Sequence, residues 1–129
     1  MKVLRIGIAS YEEMKARTIA IARGQHRTLA NEPKVWFTSA ESFARVLSDK
    51  NRTLLHSIAE ARPNSLKELA ELTGRKKSNL SRTLKTMSQY GLVVLKKGER
   101  GSVIPRVPYE RISLVMPLAR SRKGKTRAA

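Results

Sequence analysis

Ser65-Leu66-Lys67-Glu68-Leu69-Ala70-Glu71-Leu72-Thr73-Gly74, running straight into Arg75-Lys76-Lys77-Ser78-Asn79-Leu80-Ser81-Arg82-Thr83-Leu84-Lys85-Thr86-Met87, is the stretch that decides how this chain folds. Ser65 with Glu68 three residues on is a capping box, opening a short helix whose apolar stripe is Leu66, Leu69, Ala70 and Leu72. Gly74 falls where the chain must turn sharply, and glycine enters such backbone regions without steric cost. A second helix, about 77–90, buries Leu80, Leu84 and Met87. Its other face carries Lys77, Ser78, Asn79, Ser81, Arg82 and Lys85, with no acidic residue. A small residue at the crossing, a glycine at the turn and an apolar anchor in the second helix are what a helix-turn-helix requires. The competing reading is an ordinary pair of amphipathic helices with a solvated face. Such faces mix both signs of charge, and this one does not.

Outward from the motif, Tyr90-Gly91-Leu92-Val93-Val94-Leu95 ends the second helix and starts a β-rich run. Lys96-Lys97-Gly98-Glu99-Arg100-Gly101 is a basic turn flanked by glycines, and Ser102-Val103-Ile104 begins the return strand. This basic-tipped hairpin, about 93–104, is a wing. Pro105 and Pro108 limit how far its second strand pairs. Arg111 to Met116 alternates again and suggests one more strand. On the other side, Val3 to Ile8 reads as a strand, and Ser10 with Glu13 caps a helix carrying Met14, Ile19 and Ala22 before Gly24. Gln25 to Lys34 reads as a loop and Val35-Trp36-Phe37 as a second strand. Thr38 or Ser39 caps a short helix. Ser48-Asp49 opens another, with Leu54, Leu55, Ile58 and Ala59 on one face, ending before Pro63.

Charge narrows the class of partner. The 129 residues hold 27 Lys plus Arg against 10 Asp plus Glu, a net of +17. Residues 1–74 carry 12 basic and 8 acidic side chains, a net of +4, whereas residues 75–129 carry 15 and 2, a net of +13. A polyanion is therefore expected to meet the C-terminal half. With no Cys there is no disulfide framework, thiolate nucleophile or Cys-based zinc site. His26 and His56 stand apart with no companion at ligand spacing and read as surface or packing residues. The carboxylates show no paired spacing, and Gly74-Arg75-Lys76-Lys77-Ser78 lacks the preceding glycine and strand of a P-loop. Neither catalysis, a cofactor nor a metal is expected. No apolar run approaches a membrane span, and the N-terminus is a poor signal peptide, so a cytoplasmic, nucleoid-associated protein is expected. Few aromatic residues argue against a base-stacking RNA platform.

The run Leu69-Ala70-Glu71-Leu72-Thr73-Gly74, then Ser78-Asn79-Leu80-Ser81-Arg82-Thr83-Leu84 and Tyr90-Gly91-Leu92-Val93, resembles the winged-helix core of MarR-type bacterial regulators over roughly a third of the chain. The whole layout also looks like a group of small prokaryotic DNA-binding proteins that begin with a strand and a Glu-rich helix. They close on a Val-Pro-Tyr-acidic-x-Ile stretch, here Val107-Pro108-Tyr109-Glu110-Arg111-Ile112. The resemblance implies a transcriptional regulator or the antitoxin of a toxin–antitoxin pair. Two positions depart from it. Arg75 stands where the turn usually has a buried aliphatic, and Lys76 stands at the usual Ser or Asp cap. The long effector and dimer helices of full-length MarR regulators are also missing, so effector sensing is not carried over.

The expectation is an α+β protein: a winged helix-turn-helix over 35–118, an N-terminal strand-helix extension over 1–34 that serves dimerisation or partner binding, and a disordered basic tail over 119–129. The partner is double-stranded DNA. Asn79 is suited to an adenine edge and Arg82 to guanine, Ser78 and Ser81 to short contacts with base or phosphate. Arg75, Lys76 and Lys85 flank the backbone, and Lys77 is a further DNA-binding residue of the same helix. Lys97 and Arg100 reach an adjacent minor groove or phosphate from the wing, and Ser65 stands at a helix N-terminus able to hold a phosphate. One winged helix reads one half-site, so a homodimer is expected. Its candidate seams are Lys2 to Ala9, the helix after Ser10, and Arg111 to Met116, unless these strands pair inside one monomer. The alternative function is an antitoxin that binds both DNA and a toxin protein.

Overall fold

The computed structural model describes residues 2–25, 32–116 and 118. In chain order the elements are β1 (Val3–Ile8), α1 (Tyr11–Ala22), β2 (Val35–Phe37), α2 (Ala40–Val46), α3 (Asp49–Ala61), α4 (Leu66–Thr73), α5 (Lys77–Gln89), β3 (Val94–Lys97), β4 (Val103–Arg106) and β5 (Arg111–Val115). The fold is α+β. One three-stranded sheet has the order β2-β1-β5 with both pairings parallel, and a separate antiparallel hairpin joins β3 to β4.

Local chemistry sets the helix boundaries. Ser10 and Glu13 form a complete capping box, each side chain bonding the other's backbone N–H at 3.1 and 2.8 Å. Ser39, Ser48 and Ser65 cap α2, α3 and α4 by accepting from the N–H three residues on. At Ser65 only that half of the box forms, and the Glu68 carboxylate does not return the bond. Gly91 closes α5 in the left-handed conformation. The Leu92 N–H reaches the Met87 carbonyl at 3.0 Å and the Gly91 N–H reaches Ser88 at 3.1 Å, which satisfies the last carbonyls of the helix.

The sheet overturns the expected division of the chain. β1 is the central strand, paired to β2 through Ile6↔Val35 to Ile8↔Phe37 and to β5 through Val3↔Arg111 to Gly7↔Val115. Residues 1–34 are thus no separate extension, and β1 has no open edge to offer a partner. The reason is burial. Leu4, Ile6 and Ile8 all point into one core with Phe37, Leu54, Ile58, Leu69, Leu80, Leu84 and Met87. The sheet needs β2 and β5 on either side of β1 to keep that apolar face dry. On the opposite face α1 buries no residue, and Ile19 and Ala22, expected on its packed side, are exposed. It is held by Arg17, which pairs with Glu32 and lies 5.2 Å over the Trp36 ring.

Two further apolar residues assigned to packed stripes are on the outside. Leu72 is 56% exposed. At about 100° per residue it lies outside the arc of Leu66, Leu69 and Ala70, and Thr73 completes that arc instead. Ala59 of α3 is likewise exposed. His56 is exposed beside Glu60, whereas His26 and the 119–129 tail lie outside the described residues. Among the described residues no helix is long and apolar enough to cross a membrane.

Candidate nucleic-acid interface

α5 is the element on which the candidate residues converge. Leu80, Leu84 and Met87 are at most 1% exposed and pin it to the core. Tyr90, just past its end, stacks on Phe37 with ring centroids 4.3 Å apart. With one side fully buried, the other side must face solvent. Lys77, Ser78, Ser81, Arg82 and Lys85 are all exposed there. Spaced at 0, 1, 4, 5 and 8 residues, they span a continuous arc of about 140°. Gln89, exposed at the end of the same arc, was missed in the sequence because it lies beyond the last basic residue of the helix.

Gly74 sets the angle between α4 and α5. It caps α4 at φ 74°, ψ 8°, with its N–H donating to the Ala70 carbonyl at 2.8 Å. α5 then starts at Lys77 without a side-chain cap, and its first turn holds no acidic residue. Cations at Arg75, Lys76 and Lys77 sit against the positive end of the helix dipole, which is unfavourable in isolation and favourable once an anion joins them.

Asn79 does not belong to the exposed arc. It lies about 200° around α5 from Lys77, on the flank that faces the turn and α3. Its Oδ1 accepts from Arg75 Nε at 3.1 Å and from Nη2 at 2.7 Å. Arg75 Nη1 also donates to Asn51 Oδ1 at 3.3 Å, and Nη2 to Thr83 Oγ1 at 3.4 Å. Asn51 in turn donates from Nδ2 to the Val46 carbonyl and from its N–H to Ser48 Oγ. The two residues expected at the adenine edge and the DNA backbone are therefore one bracket, tying α5 to α3 and the end of α2. A bidentate adenine contact needs Oδ1 as an acceptor, and both lone-pair directions of that atom are taken up by the guanidinium. Asn51 and Thr83 carried no signal in the sequence, since their roles exist only once Arg75 bridges α5 and α3.

The hairpin follows α5 and packs against it. β3 is exposed along its whole length and includes Lys96 and Lys97. It pairs with β4 from Val94↔Arg106 to Lys97↔Val103, so the hairpin starts after the buried Val93 and extends past Pro105. Pro105 is tolerated because β4 has a partner on only one side. Arg100, at the tip, is exposed. Arg106, not singled out by the sequence, anchors the base. It donates to the Pro63 carbonyl at 2.6 Å and to Asn64 Oδ1 at 3.1 Å, fixing the hairpin to the α3–α4 connection. Ser65 lies next to that anchor as the cap of α4.

Of the eleven expected site residues, Lys76, Lys77, Ser78, Ser81, Arg82, Lys85, Lys97 and Arg100 are exposed. Arg75 and Asn79 are committed to each other, and Ser65 is committed to its cap. A groove of about 540 Å³ lies elsewhere, between α3 and the β5 side of the sheet, lined by Leu4, Leu47, Leu55, Tyr109, Ile112 and Leu114 among others. Among the described residues no group of His, Cys, Asp and Glu gathers that could hold a metal ion. No curated protein and no solved structure matches the chain. The family model HVO_A0114 matches residues 46–114, which run from the end of α2 into β5, contain α5 and the hairpin, and make up just over half of the sequence; the chain belongs to the HVO_A0114 family.

Proposed function

We propose that this protein is a sequence-specific, duplex DNA-binding transcriptional regulator, working as a homodimer at the cytoplasmic nucleoid. In this reading α4, α5 and the β3–β4 hairpin are a winged helix-turn-helix of the MarR-like kind. The observation that carries it is the sign of the exposed face of α5. Lys77, Ser78, Ser81, Arg82 and Lys85 stand on one solvent-facing arc with no acidic residue, on a helix whose opposite side is core. Short hydroxyls and long cations on one helix face suit base edges and phosphates in a major groove. The uncapped, cation-rich start of α5 suits a phosphate, and Lys96, Lys97 and Arg100 on the protruding hairpin suit the neighbouring backbone or minor groove. No role in catalysis is assigned to any residue.

The test is titration of the full-length chain against duplex DNA from its own upstream region, a scrambled duplex of equal length, and double-stranded RNA. The expected result is a preference for the upstream duplex, with affinity falling steeply from 50 to 200 mM salt as phosphate counterions are displaced (on the order of 10³-fold if about six phosphates are contacted). Equal binding to all three polymers overturns the regulator reading.

A second reading, an antitoxin, draws on α1, which buries no residue and exposes Tyr11 and Ile19 on the far side of the sheet from α5. Co-purification with the product of an adjacent gene, lost on Tyr11→Ala and Ile19→Ala without loss of DNA binding, is the outcome that favours it.

A further inference from the structure

We infer that the outer edge of β5 is the seam through which two copies of this chain join, strand to strand and antiparallel, across a two-fold axis at Ser113. The inference rests on the homodimer of the proposed function and specifies where its protomers meet.

The backbone supplies the first argument. On β1 the Arg5 carbonyl accepts from Lys34 N–H and the Ala9 N–H donates to the Phe37 carbonyl, so the odd residues of β1 aim their amide groups at β2. By strand alternation the even residues aim at β5. With Leu4 in register with Ile112 and Ile6 with Leu114, the amide groups of Ile112 and Leu114 point away from β1. No other described strand lies there. An identical strand turned by the two-fold sets Ile112 against Leu114 of the second copy in a doubly hydrogen-bonded pair, and Leu114 against Ile112. Every residue from Arg111 to Val115 is then matched, and only Ser113 faces itself.

Charge supplies the second argument. Two chains of net +17 repel, and they approach most easily where cations are scarce. Ile112-Ser113-Leu114-Val115-Met116 has no charged residue, and in this register Arg111 stands opposite Val115 rather than its own copy. Leu114 and Val115 on the strand and Met116 just past it remain 41–44% exposed, although an all-parallel sheet normally has both faces covered. The other edge is protected differently. β2 is three residues long and follows Pro33, both devices that discourage edge pairing. β5 is longer and has neither proline nor lysine within it.

A five-residue strand pair buries less than the roughly 800 Å² per partner of a standard stable interface, so the seam is weak alone and strengthened when an operator holds two half-sites. The chain has no cysteine, which permits a direct test. In an antiparallel sheet a self-facing, non-hydrogen-bonded pair has Cα atoms about 4.5 Å apart, within disulfide reach. Full-length Ser113→Cys, oxidised with and without operator DNA, is expected to form a covalent dimer much faster than Tyr11→Cys, whose side chain is exposed on α1. Leu114→Lys, at a half-exposed position, is expected to shift sedimentation toward one chain mass while leaving far-ultraviolet circular dichroism unchanged. A native chain that sediments as a dimer while Ser113→Cys links no faster than Tyr11→Cys overturns the seam and leaves the homodimer standing. A native chain that stays monomeric with and without operator overturns both, and loss of DNA preference alone bears only on the regulator reading.

Discussion

The Arg75 guanidinium grips Asn79 with two donors, Nε at 3.1 Å and Nη2 at 2.7 Å, four residues apart across the start of α5. A turn position suited to an aliphatic anchor is here held by a charged fork that reaches Asn51 and Thr83 as well. The packing lost by replacing a hydrophobe is offset by charge-assisted hydrogen bonds between helices. The bracket also aims Lys77, Ser78 and Arg82, because it sets how α5 is rotated against α3.

Asn79→Ala is accordingly expected to act first on stability. Removing the acceptor of two charge-assisted bonds costs about 1.5–3 kcal/mol, read as a lower denaturation midpoint at an unchanged slope. Any change in base preference is expected to be slight and spread over the positions that Lys77, Ser78 and Arg82 face, not confined to one adenine. A variant of native stability with relaxed preference at one adenine position would restore Asn79 as a base reader.

Arg82→Ala and Lys97→Ala are expected to differ in kind. Arg82 on the exposed arc costs about 1–3 kcal/mol and relaxes preference at one base position, whereas Lys97 on the hairpin weakens all duplexes alike and lowers the salt slope by about one. Competition binding with a set of single-base operator variants checks both. Equal, sequence-neutral losses would reduce Arg82 to a phosphate contact.

Gly74→Val is expected to impair folding along with binding. At φ 74° a β-carbon would meet nothing within 4 Å, so the whole penalty is backbone strain rather than a clash. For an ordinary residue that strain is roughly 1–2 kcal/mol, more for a β-branched one, and Gly74→Asn recovers most of it. Thermal unfolding of the three proteins gives the order Gly, Asn, Val.

Arg106→Met tests the base of the hairpin. It leaves the Pro63 carbonyl without its partner and is expected to cost about 1–3 kcal/mol. Affinity for every duplex should fall while helicity is retained, since no helix depends on the contact. Unchanged affinity would separate the hairpin from binding.

Ile6→Lys, which at the level of sequence looks like a way to split a dimer, is expected to unfold the chain. Ile6 is 0% exposed in the central strand, so even Ile6→Ala costs about 2–5 kcal/mol. Circular dichroism distinguishes this from dissociation of an intact fold.

What the sequence determined by itself is local. The serine caps, the left-handed glycines at 74 and 91, and the three-and-four spacing of Leu80, Leu84 and Met87 depend on residues within one or two turns of one another, and each is where its pattern puts it. The one-sided charge of α5 follows from the same periodicity. Tertiary structure alone decided the rest. Val3 to Ile8 alternates like a strand wet on one face, and nothing within it tells an edge from a centre. Its place between 35–37 and 111–115 depends on one core accepting Leu4, Ile6 and Ile8 against apolar partners up to a hundred residues away. Asn79 and Arg75 look like DNA contacts when only their type and neighbourhood are read. Their amide and guanidinium are committed to each other and to Asn51 because folding brings α3 against the turn, and a hydrogen bond between distant residues leaves no mark on local periodicity.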